Sequence, residues 1–149
     1  MTHNIDAAGL DLGQYIKAGD AVVFGQACGE PTTLIEALIA QGGDIGDVSA
    51  FIASTFSGIF TPETSESFAL SSMGAIGALR SMSKAHKLGI VPCHVGQVAP
   101  LIEQGLIGCD VAMGMGAHPS IVVLAGVITG DPAPALAEID GDDDVAAHG

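Results

Sequence analysis

The chain has 149 residues, 48% of them hydrophobic and 14% charged, with 21 Gly and no Trp. That is one domain's worth of polypeptide, long enough to bury a core, and its small side chains favour close-packed layers over aromatic anchors. A net charge of −13, from 17 acids against 4 Lys plus Arg, excludes nucleic acid as a partner, because nothing here can displace the counterions of a phosphate backbone.

The same charge leaves room for a small phosphate-bearing or carboxylate ligand, which backbone dipoles can hold without cationic side chains. No uninterrupted apolar run is long enough to span a bilayer, so no membrane contact is expected. The opening "MTHNIDAAGLDLGQ" carries acids and no basic stretch, so it does not read as a secretory signal, and the expected location is cytoplasmic. Cys28, Cys93 and Cys109 form no CxxC pair and read as small hydrophobes.

In chain order, "DLGQYIKAGD" spaces Leu12, Tyr15 and Ile16 as a helix does and ends on Gly19, where a terminating glycine belongs. "AVVFG" follows as a short buried strand. "PTTLIEALIAQGG" predicts a helix with Pro31 in its first turn, Leu34, Ile35, Leu38 and Ile39 on one face, and Gly42-Gly43 as its close. "DVSAFIASTF" predicts a second strand, "SGIFTPETSES" a loop and "FALSSM" a third strand. "GAIGALRSMSKAHK" is helical by composition, although Gly74 and Gly77 each cost about 1 kcal/mol relative to Ala. "LGIVPC", "CDVAMGMG" and "SIVVLAGVIT" are further strands, and "VGQVAPLIEQG" is a helix with Pro100 in its first turn or at a kink.

Apolar strands alternating with helices predict an α/β fold with an open, mostly parallel sheet, spanning residues 1–130. Six of the acids lie from Asp131 onward, and residues 131–149 read as a flexible acidic tail. Ligands of such sheets sit beyond the carboxyl ends of the strands, which singles out "GQACGEP" after the first of them.

In that loop Gly25 and Gly29 allow close backbone approach, and the following helix brings its positive end and unpaired N–H groups. Gly25, Gln26, Ala27, Cys28 and Gly29 are therefore candidates for holding an anion or a developing oxyanion, each such donor contributing roughly 3–4 kcal/mol to an acyl-transfer transition state. The competing reading is that the glycines serve only the turn. GxGxxG is absent, and no Gly-Lys-Ser/Thr follows, so neither a dinucleotide fingerprint nor a P-loop is present.

"IKAGDAVVFGQACGEPTTLIEALIA" and the later "LGIVPCHVGQVAPLIEQGLIGCDVAM" resemble, in the same order, two blocks of the acetyl-CoA hydrolase/transferase family, which includes 4-hydroxybutyrate and acetate CoA-transferases. The resemblance runs from about Leu12 to about Met113. It implies an open α/β domain that pairs with a second one, and chemistry that moves CoA between carboxylates or releases it to water. It further implies that 25–29 holds the acyl oxygen of an acyl-CoA whose carbonyl is attacked by a glutamate of the C-terminal domain. No position within these 149 residues matches that glutamate. The resemblance thus predicts an N-terminal half, inactive without a chain carrying the C-terminal domain, with acyl-CoA and a small carboxylate as ligands and no covalently bound cofactor.

Glu30 is the one carboxylate beside the loop, readable as a nucleophile or as a helix-start residue. Cys28 precedes a helix N-terminus, a setting that activates thiols, but no partnered base is identifiable. His94 follows a strand and is a candidate for lining the carboxylate pocket together with Glu30. Its neighbour Cys93 points the other way along the chain and does not form a nucleophilic pair with it. Arg80 and Lys84 share a helical face that could meet CoA phosphates, or simply be solvated. The five His residues show no HxxxH or HExxH spacing, so no metal site is expected. Two rival readings are a catalytically silent CoA-binding module and a nucleotide-binding domain of Rossmann or flavodoxin type.

Overall fold

A computed structural model of the chain describes residues 3–6, 9–115, 121–126 and 137–140. Among them, eight strands form one sheet: β1 (His3–Asp6), β2 (Ala21–Phe24), β3 (Ser49–Ile52), β4 (Ala69–Ser72), β5 (Leu88–Ile90), β6 (Val111–Met115), β7 (Ile121–Gly126) and β8 (Ala137–Asp140), in the order β1-β8-β7-β6-β2-β3-β4-β5. The five central-to-edge strands β6-β2-β3-β4-β5 are all parallel, and of the eight only β7 runs against its neighbours. The fold is α/β, an open, mostly parallel sheet with flanking helices, as the strand–helix alternation predicts.

Helices α1 (Thr32–Ile45) and α2 (Leu79–Lys84) pack on one face, and α3 (Val98–Glu103) on the other. That split follows from right-handed crossovers: the chain steps β2, β3, β4, β5 in one direction, then returns past β2 to β6 across the opposite face. The larger core joins Leu34, Ile35 and Leu38 of α1 to Val22, Phe24, Ala50, Ile52, Leu70, Val111 and Met113 of the strands. Each of these side chains larger than Ala50 stabilises the fold by roughly 1.5–3 kcal/mol when fully withdrawn from water. Phe24 anchors the middle, with ring centroids 6.1 Å from Phe60 and 6.0 Å from Phe68, the latter edge-on. The second core is small, built on Phe51, Ala53 and Ile107 under α3.

Local chemistry departs from the helical expectations in three places. Residues 11–20 form only a 3-10 helix, Leu12–Gln14, because Asp11 accepts from the Gly13 amide at 3.0 Å and the Gln14 side chain at 3.3 Å, fixing a tight turn. Gln41 then ties this segment to α1 through the Leu12 amide and the Leu10 carbonyl. α1 runs through Gly42-Gly43 and stops at Ile45, before Gly46 at φ 78, with Pro31 one place outside its start. Gly42 lies against the Ser67 carbonyl: a Cβ there would sit 2.5 Å from that oxygen. α2 begins only at Leu79, since Gly77 takes φ 56, which L residues avoid.

The loop expected between the second and third strands contains a 3-10 helix, Pro62–Glu66. Of residues 131–149, expected to form an acidic tail, the described part is β8, which pairs with β1 and β7; the rest lie outside the described residues. Among the described residues no helix is long and apolar enough to cross a membrane.

Candidate functional site at the carboxyl edge of the sheet

β2 lies between β3 and β6, and the chain order reverses direction between β2 and β6. A crevice outside the strand ends at such a reversal is where open parallel sheets bind ligands. Two motif residues, Asp110 and Asp20, fix the amino ends of these two parallel strands. Asp110 accepts from the Ala21 amide at 2.8 Å and donates its own amide to the Ala21 carbonyl at 2.7 Å, locking β6 to β2. Asp20 accepts from the Lys17 amide at 2.8 Å, closing the turn that carries Gly19 at φ 93 into β2.

The 25–30 loop emerges beyond the carboxyl end of β2. Gly25 donates its amide to the Met113 carbonyl at 2.6 Å. A Cβ at Gly25 would collide with the Gly29 carbonyl oxygen and lie 3.3 Å from the Gly114 Cα, so only glycine fits. Ala27 takes φ 52, in the left-handed region, and its amide donates to the Ser54 carbonyl at 3.0 Å. A 3-10 helix, Ala27–Gly29, follows, with the Gly29 amide on the Gln26 carbonyl at 2.9 Å and the Glu30 amide on the Ala27 carbonyl at 3.2 Å.

These bonds correct the expectation of five converging donors. The amides of Gly25, Ala27 and Gly29 are spent inside the fold. Among the described residues, only the Gln26 and Cys28 amides of that loop meet no acceptor. Cys28 is exposed, and Ala27 holds a conformation costing about 1–2 kcal/mol for a residue with a Cβ.

Glu30 is neither a free nucleophile nor a cap on α1. It is 6% exposed, and its carboxylate accepts the Thr55 hydroxyl at 2.7 Å and 2.8 Å, the Ser57 hydroxyl, and the Phe56 and Ser57 amides at 3.3 Å and 3.4 Å. Its lone pairs are occupied by the 54–58 loop, which β3 projects from the same edge. Sequence reasoning missed Thr55, Phe56 and Ser57. The available signal was a hydroxyl-rich run directly after an apolar strand, hidden because residues 47–56 read as one strand whereas β3 ends at Ile52.

His94 lies elsewhere on that edge. It follows β5, three strands from β2, which at sheet spacing is roughly 14 Å away. Its amide donates to the Gln97 side chain at 2.8 Å, starting the 3-10 helix Val95–Gln97. Glu30 and His94 therefore stand beyond strands three apart along that edge. Among the described residues, concavities of about 640 Å³ beside Leu10, Lys17 and Gln41 and about 550 Å³ beside Ser65, His86 and Lys87 lie at the opposite edge, where the strands begin.

Arg80 and Lys84 are exposed on α2. Burial, and secondarily the charge of Asp110, pushes the Cys109 thiol above its ordinary range, which makes it a poor nucleophile. Among the described residues, no cluster of His, Cys, Asp and Glu is arranged to hold a metal ion.

No protein-family model and no curated protein matches the chain. Among solved structures, it is similar to a glutamate-to-aspartate mutant of RipA, at 23% identity and a TM-score of 0.58, over 75% of this chain and 29% of that one. It is also similar to RipA from Yersinia pestis, at 24% identity and a TM-score of 0.55, over 73% of this chain and 29% of that one. The likeness is one of fold alone, and the chain spans less than a third of the length of these neighbours.

Proposed function

We propose that the chain acts as the N-terminal domain of an acyl-CoA hydrolase or CoA-transferase, moving CoA between carboxylates such as acetate. In this reading a second domain, from another chain or from sequence outside these residues, supplies the attacking glutamate. The Gln26 and Cys28 amides receive the thioester oxygen as it gains negative charge, and the protein works in the cytoplasm. The observation that carries the reading is a glycine loop at the β2/β6 reversal with two amides unpaired among the described residues, on a sheet similar in fold to RipA. The resemblance of residues 12–113 to the acetyl-CoA hydrolase/transferase family supports it further.

The chemistry asked of the loop is modest. Two preorganised amides can contribute roughly 3–4 kcal/mol each to an acyl-transfer transition state, and cost no reorganisation when the charge develops. Glu30 has no part in attack, because its oxygens are already hydrogen-bonded.

Exchange of labelled acetate into acetyl-CoA tests the proposal. The chain alone gives no exchange; mixed with a C-terminal CoA-transferase domain it gives exchange that depends on both components. Turnover by the chain alone overturns the claim that the nucleophile lies outside it. The three internally spent amides favour one rival, a silent CoA-binding module, and that rival stands if CoA binds but no mixture turns over. Thermal stabilisation by NAD or FMN and none by CoA replaces both with a nucleotide-binding domain.

A further inference from the structure

Two unfavourable features meet in the 54–58 loop. Glu30 buries a carboxylate, and every partner it has among the described residues is a hydroxyl or an amide of Thr55, Phe56 or Ser57. Phe56, in the middle of those partners, is 78% exposed, the most exposed large apolar side chain among those described. Withdrawing a carboxylate from water costs free energy unless it is well hydrogen-bonded, and leaving a phenyl ring in water forgoes the gain of burial. A loop free to relax would turn the ring inward. Four donors on one carboxylate, the Thr55 hydroxyl shared between its two oxygens, hold it out.

The surroundings indicate what the ring is held out for. The Ala27 amide is bonded to the Ser54 carbonyl, so the Phe56 loop and the loop carrying the Gln26 and Cys28 amides form one unit. On the other side, a Cβ added at Gly77 would lie 3.9 Å from the Thr55 carbonyl oxygen, and the neighbouring Ile76 is 61% exposed. An aromatic and an aliphatic side chain are thus exposed on loops of the same edge as two amides that are unpaired among the described residues. If those amides hold a thioester oxygen, the group attached to that carbonyl lies against Phe56 and Ile76.

The geometry points to Phe56 as the contact for the acyl chain of a short-chain acyl-CoA, and to Glu30 as the positioning residue that presents it. This inference rests on the acyl-CoA reading above and adds to it a preference among acyl groups.

Equilibrium binding of CoA, acetyl-CoA, butyryl-CoA and hexanoyl-CoA to the 149-residue chain is the test. Affinity rises about two- to fourfold per methylene, the range for partial to full burial of each. Phe56→Ala, a surface change that leaves the fold intact, flattens the series. Thr55→Val flattens it too and speeds hydrogen exchange at the Phe56 and Ser57 amides, whereas Thr55→Ser, which keeps the hydroxyl, restores both. A wild-type series already flat, or one unchanged by Phe56→Ala, overturns the acyl contact while leaving the acyl-CoA reading standing. A folded Thr55→Val or Glu30→Gln protein with an unchanged series overturns the positioning role. Failure of the wild-type chain to bind any of the four overturns both readings.

Discussion

At the residue scale, the glycines of this chain are not interchangeable, and Gly25 shows why. Its amide closes the β2–β6 junction through Met113, while its Cα faces the Gly29 carbonyl and the Gly114 backbone. A methyl group there meets backbone atoms, which cannot rotate away as a side chain can. Gly25→Ala is therefore expected to destabilise the fold by about 2–3 kcal/mol, the overpacking range, as read from urea denaturation. Gly29, by contrast, has open space where a Cβ would go. The loop's two glycines, which look equivalent on paper, serve different ends.

At the scale of an element, α1 carries the same lesson into a helix. Gly42 and Gly43 read as a stop signal, yet the helix continues to Ile45. Its apolar face, Leu34, Ile35 and Leu38, is fully buried, and tertiary packing of that face outweighs two weak helix formers. Gly42 is there because the helix passes close to the Ser67 carbonyl, while Gly43 faces open space. In thermal denaturation, Gly43→Ala is expected to stabilise by about 0.5–1 kcal/mol, the usual gain for an exposed helical glycine. Gly42→Ala is expected to do the opposite, and a gain there would contradict the close packing described.

At the scale of the whole molecule, charge sets the conditions. With 17 acids and 4 Lys plus Arg, the folded chain repels itself at neutral pH, and few ion pairs offset the repulsion. Raising NaCl from about 0.01 M to about 0.5 M shortens the Debye length from about 30 Å to under 5 Å. The melting midpoint is expected to rise over that range, and a midpoint that falls would show that attractive pairs dominate instead. In the proposed reading an anionic ligand is met by backbone amides, because the chain has only 4 Lys plus Arg to offer instead.

How much was legible in the sequence follows from these scales. The five parallel strands β2 to β6, the flanking helices and the placing of residues 25–30 beyond a strand end all follow from local pattern, whereas β1 and β8 were not expected and β7 runs antiparallel to its neighbours. Apolar runs of four to six residues and the 3.6-residue period are written into neighbouring positions, and a parallel sheet admits few ways to connect them. The clamp on Glu30 was not legible. Thr55 and Ser57 are 25 and 27 positions away from it, and nothing in a linear pattern couples hydroxyls to a carboxylate at that distance.

The number of amides left for a ligand was equally invisible. Composition and turn chemistry determined that a glycine loop would stand at the sheet's carboxyl edge. Only the folded chain decided that Met113, Ser54 and Gln26 would consume three of its five donors, because each acceptor except Gln26 comes from a different strand or loop brought alongside. Backbone periodicity is a local property and survives in the sequence; hydrogen-bond satisfaction is a property of neighbours in space and does not.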